Sequence, residues 1–222
     1  FWDELKKRFP HLLFDLVQRR DLASISRSLD LSRADHEFLP RTDSISSQGA
    51  QYGLSHWTPL SGTGVPCHPG QDYVCLSGLS SSFVTSIFPA ISYEPICVEP
   101  PADYPWDWLR HMLDTHRRAR VFFRGDFYPL LEQIHSNQLW GAIQFHRADL
   151  GAGMVVVYRR PDSPFTTARF RLRGMAVDCS CYLDDSGSDG ISLERTVLEV
   201  RLKEAPAAIV AFYCTDGHAG AG

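Results

Sequence analysis

The stretches LWGAIQFH at residues 139–146 and GMVVVYR at residues 153–159 decide the fold, because both are short runs rich in β-branched and aromatic residues. Four more runs of this kind follow at residues 168–172, 180–183, 197–202 and 207–213. Turn-forming residues separate them at 161–164, 184–190 and 204–206. Short strands spaced in this way predict an antiparallel β-sandwich or half-barrel, which we assign to residues 126–222.

Upstream of these strands, residues 105–118 predict an amphipathic helix. Asp103 is a candidate cap and Pro105 suits the first turn, while Arg117 and Arg118 lie at the C-terminal end, where cations interact favourably with the helix dipole. One face carries side chains at helical spacing: Trp106, Leu109, Met112, Leu113 and His116. This face predicts packing against a hydrophobic core.

Residues 1–100 have a different pattern, with short apolar runs at 11–16, 52–57, 74–76 and 83–91 between Gly, Ser and Pro residues. Runs of that length are typical of strands buried on both faces, as in a parallel barrel. Helices are predicted at residues 2–9 and 21–29. The predicted fold is therefore an α/β part over residues 1–125, which includes the helix at 105–118, followed by the all-β domain.

The composition is that of a globular protein, with 222 residues of which 44% are hydrophobic and 22% charged. The formal net charge of −4 gives no basic footprint for nucleic acid. No apolar run approaches the roughly 20 residues of a membrane span, and the N-terminus does not resemble a secretory signal. We expect a cytoplasmic protein without a nucleic-acid or membrane partner. The first residue is not Met and lies at a predicted helix, so we expect a fragment of a longer protein, although a processed chain would look the same.

The six cysteines, at positions 67, 75, 97, 179, 181 and 214, predict free thiols rather than disulfides. Residues 179 and 181 would share one face of a strand, where a disulfide is geometrically awkward. The alternative is a zinc site at Cys67 and His68, but one adjacent pair is a weak signal. The acidic stretch at 184–190 lacks the full set of calcium ligands, so it predicts a solvated turn. We expect no metal and no cofactor.

Several strings resemble one enzyme family. GDFYPL at 125–130, QFHR at 144–147 and RFRLRG at 169–174 are similar to the linker and C-terminal β-domain of melibiase-type α-galactosidases of glycoside hydrolase family 36. FWDEL at 1–5, YGLS at 52–55 and GTG at 62–64 resemble the second half of the catalytic barrel in that family. The resemblance implies the C-terminal part of a (β/α)8 barrel followed by an antiparallel β-sandwich domain.

The family hydrolyses terminal α-galactosides with retention, which requires two carboxylates about 5 Å apart, a nucleophile and an acid/base. The Lys-Trp-Asp string of the nucleophile is absent, and its place would lie upstream of Phe1. The acid/base string matches LSRAD at 31–35, with Ala34 in place of the usual Ser, so the resemblance implies that role for Asp35. The same string carries Arg33, a candidate substrate-binding residue. A solvated loop carboxylate or a helix cap is the alternative for Asp35.

The resemblance also implies a sugar site near His56 and Trp57, which follow YGLS. An indole face stacks on a pyranose ring, and a neighbouring His or Arg bonds its hydroxyls. The alternatives are a core tryptophan and a structurally satisfied histidine. Residues 16–18 replace a longer substrate-gripping string of the family, which predicts a damaged or remodelled pocket. Because barrel enzymes carry catalytic groups at the C-terminal ends of strands, we expect Asp35 there, facing the same cleft as Trp57.

Three hypotheses about function remain open. The first is a glycoside hydrolase that resembles a retaining α-galactosidase, acts on a galactoside and lacks its nucleophile. The second is a non-catalytic carbohydrate-binding or accessory β-domain module, favoured by the missing nucleophile and the shortened string. The third is a structural or interaction protein without sugar chemistry. Half a barrel would expose unpaired strand edges, so the missing barrel half or a second copy of the chain is the expected partner.

Overall fold

The computed structural model describes residues 2–12, 15–17, 36–38, 48–49, 52, 63–64, 70, 72–77, 102–132, 136–175, 181–184 and 190–215. The helices there are α1 (Trp2–Arg8), α2 (Asp72–Ser77) and α3 (Trp106–Ala119), with 3-10 turns at Phe122–Arg124 and Ala148–Leu150. The strands are β1 (Asp15–Val17), β2 (His36–Phe38), β3 (Thr63–Gly64), β4 (Asp126–Pro129), β5 (Trp140–Arg147), β6 (Ala152–Arg159), β7 (Thr167–Arg171), β8 (Cys181–Asp184), β9 (Ile191–Glu194), β10 (Val197–Arg201) and β11 (Ala207–Thr215).

The centre of the molecule is an antiparallel five-stranded sheet in the order β4-β5-β6-β11-β8. Its central strand, β6, pairs Val156 with Ile143 on one side and with Val210 on the other. The consecutive residues Val155, Val156 and Val157 are all buried, because successive side chains point to opposite faces and both faces of this sheet are covered. The β-branched run in this strand therefore supplies two cores at once.

The second layer is a three-stranded antiparallel sheet in the order β7-β10-β9. Its Leu198 and Val200 pack with Val155 and Val157 of the central sheet. The predicted antiparallel sandwich is thus confirmed, and each of the six predicted strands forms within two residues of its expected ends. The short strands β4 and β9 were not predicted. Asp126 and Pro129 are uncommon in strands, so β4 lacks a clear strand pattern, and β9 directly follows an acidic, turn-rich stretch.

Helix α3 covers the opposite face of the central sheet. Its buried residues, Leu109, Met112, His116 and Ala119, follow helical spacing and pack against β5 and β6. This confirms the helix predicted at residues 105–118. The predicted cap was wrong, because Pro105 occupies the N-cap position without a side-chain hydrogen bond. Pro105 itself has no backbone N–H, and its fixed φ suits the start of a helix.

Helix α2 corrects a second prediction. The apolar run at residues 74–76 was expected to be a strand, but residues 72–77 form a helix. Tyr73 and Leu76, three residues apart, both pack against the core that α3 also contacts. The indole Nε1 of Trp108 in α3 donates a hydrogen bond to the Asp72 carboxylate at 2.5 Å and holds the two helices together. Tertiary packing, rather than local propensity, decides this segment.

The upstream part contains a small parallel sheet in the order β1-β2-β3. Asp15 pairs with His36, and Glu37 pairs with Thr63. The predicted first helix is confirmed as α1. Across the described ranges, these short strands do not show the expected barrel. The runs predicted at 21–29 and 83–91 lie outside the described residues, and Tyr52, placed at the start of a predicted strand, is helical.

In the part of the chain that the structure covers, none of the helices is both long and apolar enough to span a membrane. The thiol of Cys214, on β11, is free.

Candidate functional site

The residues expected to bind and cleave a sugar lie outside the described part of the structure. These residues are Arg33, Asp35, His56 and Trp57. The candidate zinc pair Cys67 and His68 and the interior of the acidic turn, residues 185–189, lie outside it as well. Their roles therefore stay predictions. Several described strands and side chains lie next to them in the sequence.

Strands β2 and β3 follow the two predicted site segments along the chain. Strand β2 begins at His36, immediately after Asp35, and strand β3 begins at Thr63, shortly after Trp57. Because these strands are parallel neighbours, their N-terminal ends lie at the same end of the sheet. Asp35 itself lies outside the described residues, so its expected position at the C-terminal end of a strand stays a prediction.

A buried polar bridge connects the sandwich to the segment before His56. Arg160, just after β6, is 1% exposed, and its Nε donates to Oε1 of Gln48 at 3.1 Å. Gln48 is 3% exposed, and its Nε2 donates to the hydroxyls of Tyr73 at 2.9 Å and Ser77 at 3.0 Å. We call these four side chains the Arg160 bridge. It spans 112 positions of sequence, so no local pattern indicated it.

The ring of Tyr158 lies beside the Arg160 bridge and is uncharged. The guanidinium of Arg160 lies 5.5 Å from the ring centroid of Tyr158, and Tyr73 meets the same ring edge-on at 6.4 Å. Burial raises the pKa of Tyr158 to about 12, although the positive charge of Arg160 opposes this rise. The Tyr158 phenol is therefore protonated at neutral pH, and the cation packs on an uncharged aromatic ring.

The neighbouring Arg159 makes its hydrogen bonds to a different part of the molecule. It is 8% exposed, and its guanidinium donates to the backbone carbonyls of Leu202 at 3.0 Å, Lys203 at 2.7 Å and Ser163 at 2.8 Å. All of these acceptors belong to the β-sandwich. Adjacent residues along an extended chain point to opposite faces, so the two arginines serve the two sides of the central sheet.

A second polar network lies inside the sandwich, around the hydroxyl of Tyr213. This hydroxyl accepts a hydrogen bond from Nε2 of Gln144 at 2.7 Å and lies 3.0 Å from Nδ1 of His146, to which it donates in the tautomer that carries its proton on Nε2. Gln144 also accepts from the backbone N–H of Arg173 and donates to its carbonyl, both at 2.8 Å. We call this the Tyr213 network. It fastens the chain after β7 to β5 and β11.

The electrostatics of the Tyr213 network indicate a structural role. Burial lowers the pKa of His146, although the carboxylate of Asp126 opposes the shift. Burial, followed by the negative charge of Asp126, raises the pKa of Tyr128 on the neighbouring strand. A neutral imidazole beside neutral phenols is a hydrogen-bonding group and not an activated nucleophile. Among the described residues, no cluster of His, Cys, Asp and Glu could hold a metal ion.

Comparison with known proteins shows a likeness in fold. No protein-family model matches the sequence, and no curated protein matches it. An α-galactosidase of glycoside hydrolase family 36 from Geobacillus stearothermophilus, solved with raffinose, matches 96% of this chain with a TM-score of 0.68 at 16% identity. The galactosidase domain of an α-galactosidase–sucrose kinase matches 96% with a TM-score of 0.64 at 16% identity. An α-galactosidase from Lactobacillus brevis matches 96% with a TM-score of 0.63 at 14% identity.

The chain spans 30% of the length of each of these three solved chains. It therefore has the fold of the corresponding part of family 36 α-galactosidases, as the resemblance implied. The antiparallel sheets with few helices fit the C-terminal domain of those enzymes.

Proposed function

We propose that this chain is the C-terminal part of a retaining glycoside hydrolase that acts on α-galactosides. The observation that carries the proposal is the match of 96% of the chain to family 36 α-galactosidases. In this proposal Asp35 is the acid/base, Arg33 and His56 bond the sugar hydroxyls, and Trp57 stacks on the ring. The second carboxylate, the nucleophile, comes from a segment outside these 222 residues.

Two lines of support go beyond the fold. The LSRAD string at 31–35 resembles the acid/base string of the family, and His56 and Trp57 follow the YGLS string at 52–55, which also resembles the family. Related structures were solved with raffinose and with stachyose, which makes a galactoside the substrate class to test first. We also propose the division into a partial barrel over residues 1–125 and a sandwich over residues 126–222. A cytoplasmic location, and the missing barrel half or a second copy as partner, belong to the same proposal.

The alternative is a non-catalytic accessory module in which the sandwich braces a barrel. One observation favours it: α2, α3 and the Arg160 bridge join upstream segments to the sandwich through a buried core rather than through a flexible linker. The two functions are compatible in a complete enzyme. They differ for this chain alone, because only the first requires it to bind a galactoside.

Hydrolysis of 4-nitrophenyl α-galactoside by the purified chain tests the catalytic part. A general acid without its nucleophile contributes only about 10²- to 10⁴-fold, so we expect slow turnover or none. Asp35→Asn should abolish any residual rate, while Asp103→Asn, at an exposed position before α3, should leave it unchanged. Turnover at ordinary enzyme rates that disappears in Asp35→Asn would mean that a second carboxylate within this chain is the nucleophile.

Calorimetric titration with 1-deoxygalactonojirimycin, the ligand of one related structure, tests the sugar site. We expect measurable binding that Trp57→Ala weakens by about tenfold or more, because stacking on an indole supplies much of the apolar contact. Trp106→Ala is the matched control, since that indole is 45% exposed on α3. Absence of binding by the unaltered chain would reject the first function and leave the accessory module.

A further inference from the structure

We propose that the β-sandwich carries a saccharide-binding site where β4 and β5 meet the chain that follows β7. Its binding groups are the carboxylate of Asp126, the hydroxyl of Tyr128, Nε2 of His146 and the guanidinium of Arg173, and we call them the Tyr128 site. The ligand class is a neutral sugar, bound through its hydroxyls. The inference goes beyond the proposed function and does not rest on it, because none of the residues predicted to bind or cleave the galactoside takes part.

The first support is the pairing of β4 with β5, which brings the binding groups together. Asp126 pairs with His146 across the ladder, and Tyr128 lies two residues further along β4, so the three side chains project to the same face of the sheet. The Tyr128 hydroxyl donates to Oδ2 of Asp126 at 3.3 Å. A Cβ at Gly174 would lie 3.1 Å from the Tyr128 hydroxyl and 3.0 Å from Cδ2 of His146, the ring atom next to Nε2.

The second support is a buried hydrogen-bonding group that lacks a partner. His146 is 3% exposed, and its Nδ1 lies 3.0 Å from the hydroxyl of Tyr213. Among the residues that the structure describes, none bonds the other ring nitrogen, Nε2. Buried polar atoms of native proteins nearly always have a partner, so an atom of a ligand or of water completes this group. A sugar hydroxyl suits Nε2 in either tautomer, because a hydroxyl both donates and accepts.

The third support is the pair of opposite charges beside the Tyr128 hydroxyl. Burial raises the pKa of this phenol, the negative charge of Asp126 raises it further and the positive charge of Arg173 lowers it, so both charges lie near the hydroxyl. Both charged side chains belong to exposed residues. A carboxylate repels anions and a guanidinium repels cations, whereas the hydroxyls of a neutral sugar donate to the first and accept from the second. The charges therefore favour a neutral ligand.

The fourth support is the absence of a side chain at Gly174. This residue is exposed, and its φ of +71° is one that glycine adopts at little cost. Any other side chain there would begin in contact with both Tyr128 and His146. Glycine leaves that space to a ligand. A few polar groups that converge beside an open space are typical of small-molecule sites.

Nitrogen NMR of the 222-residue chain with ¹⁵N-labelled histidine tests the site, because the resonance of Nε2 reports the hydrogen bonding of that atom. The His146 resonance is assigned by its loss in His146→Gln. Titration at neutral pH uses raffinose, the sugar of one related structure. The resonance should shift along a saturating curve with a dissociation constant of about 1 mM, the scale of a few hydrogen bonds. Sodium phosphate at the same concentrations should leave it unchanged.

Two variants remove binding groups of the Tyr128 site. Asp126→Ala should weaken raffinose binding by about tenfold or more, the scale of a lost hydrogen bond to a charged group, and Tyr128→Phe by about twofold to tenfold. Asp162→Ala is the matched control, because this carboxylate is also exposed but follows the end of β6 that is far from His146. It should keep the affinity of the unaltered chain. Equal melting temperatures of Asp126→Ala and Asp162→Ala would separate loss of binding from loss of folding.

Three results would overturn the inference. The first is no shift with raffinose, or equal raffinose affinities of Asp126→Ala and Asp162→Ala. The second is an equal shift with phosphate, which would show an anion site instead of a sugar site. The third is loss of the shift in Trp57→Ala, which would assign the response to the predicted stacking residue. Failure of the chain to hydrolyse the aryl galactoside or to bind 1-deoxygalactonojirimycin would count against the proposed function and leave the Tyr128 site unaffected.

Discussion

At the scale of single residues, the most informative group is His146, because its protonation state depends on its burial inside the sandwich. It is 3% exposed, and its ring stacks on Tyr213 with an interplanar angle of 6°. Gly174, at a φ of +71°, passes so close that a Cβ there would lie 3.0 Å from Cδ2 of the imidazole. The charged ring would have to lose its water shell in this place, so folding favours the neutral form.

Stability should therefore depend on pH through His146. Burial lowers its pKa from the ordinary 6.5, so below that pH the unfolded chain binds a proton that the folded chain does not. The contribution of the neutral ring to the free energy of unfolding is complete above about pH 6.5. It is lost as the pH falls toward the lowered pKa. We expect the urea unfolding free energy to fall less between pH 7 and pH 5 in His146→Gln than in the unaltered chain.

His111→Gln is the control for this titration, because His111 is exposed on α3. It should keep the pH dependence of the unaltered chain. The groups that face His146 from the neighbouring strands, Asp126, Tyr128 and Tyr213, remain in both variants. Identical pH slopes for His146→Gln and the unaltered chain would show that another group is responsible.

At the scale of elements, α3 contributes through the side chains that it buries against the central sheet. Met112 is 2% exposed and lies in one core with Phe145, Met154 and Phe212. The guanidinium of Arg118 lies over the ring of Phe212, 4.2 Å from its centroid. The helix therefore packs as part of the sandwich, although it precedes the proposed boundary in sequence.

Truncation of Met112 tests this packing. Met112→Ala should lower the free energy of unfolding by about 2–5 kcal/mol, the cost of removing a fully buried large side chain. His111→Ala, one residue away on the exposed side of the helix, should change it by less than about 0.5 kcal/mol. Both values come from chemical denaturation at pH 7, and equal effects would show that α3 is not docked on the sheet.

At the scale of the whole molecule, the proposed division near residue 125 crosses a continuous core. Strand β4 lies after the division and forms the edge of the central sheet beside β5. Helix α3 lies before it and packs on the same sheet. The two parts are thus joined by an apolar core, which predicts that they separate only when that core is disrupted.

Limited proteolysis tests this arrangement. We expect the first cut at residues 133–137, which lie between β4 and β5 in the sequence. The two products should elute together under native conditions and separate in denaturant, because β4 and α3 remain packed on β5 and β6. A first cut within residues 155–171, inside the sandwich, would contradict the two-part organisation.

The sequence determined the β-sandwich and α3, because their side chains repeat with the period of a strand or a helix. It also implied the family fold through strings such as GDFYPL and QFHR. Local pattern was insufficient at α2, where a run read as a strand is helical because Tyr73 and Leu76 pack on the sheet. The same holds for β4 and β9, whose pairing partners, rather than their own residues, make them strands.

The predicted sugar residues, Arg33, Asp35, His56 and Trp57, came from resemblance and stay predictions. The Arg160 bridge was decided by tertiary structure alone. Its hydrogen bond joins residues 112 positions apart, and nothing in the neighbourhood of either residue encodes such a pairing. Periodicity along a chain reports which face of an element is buried. The partner of a buried polar group depends on which distant elements the fold brings together, and so it could be learned only from the folded molecule.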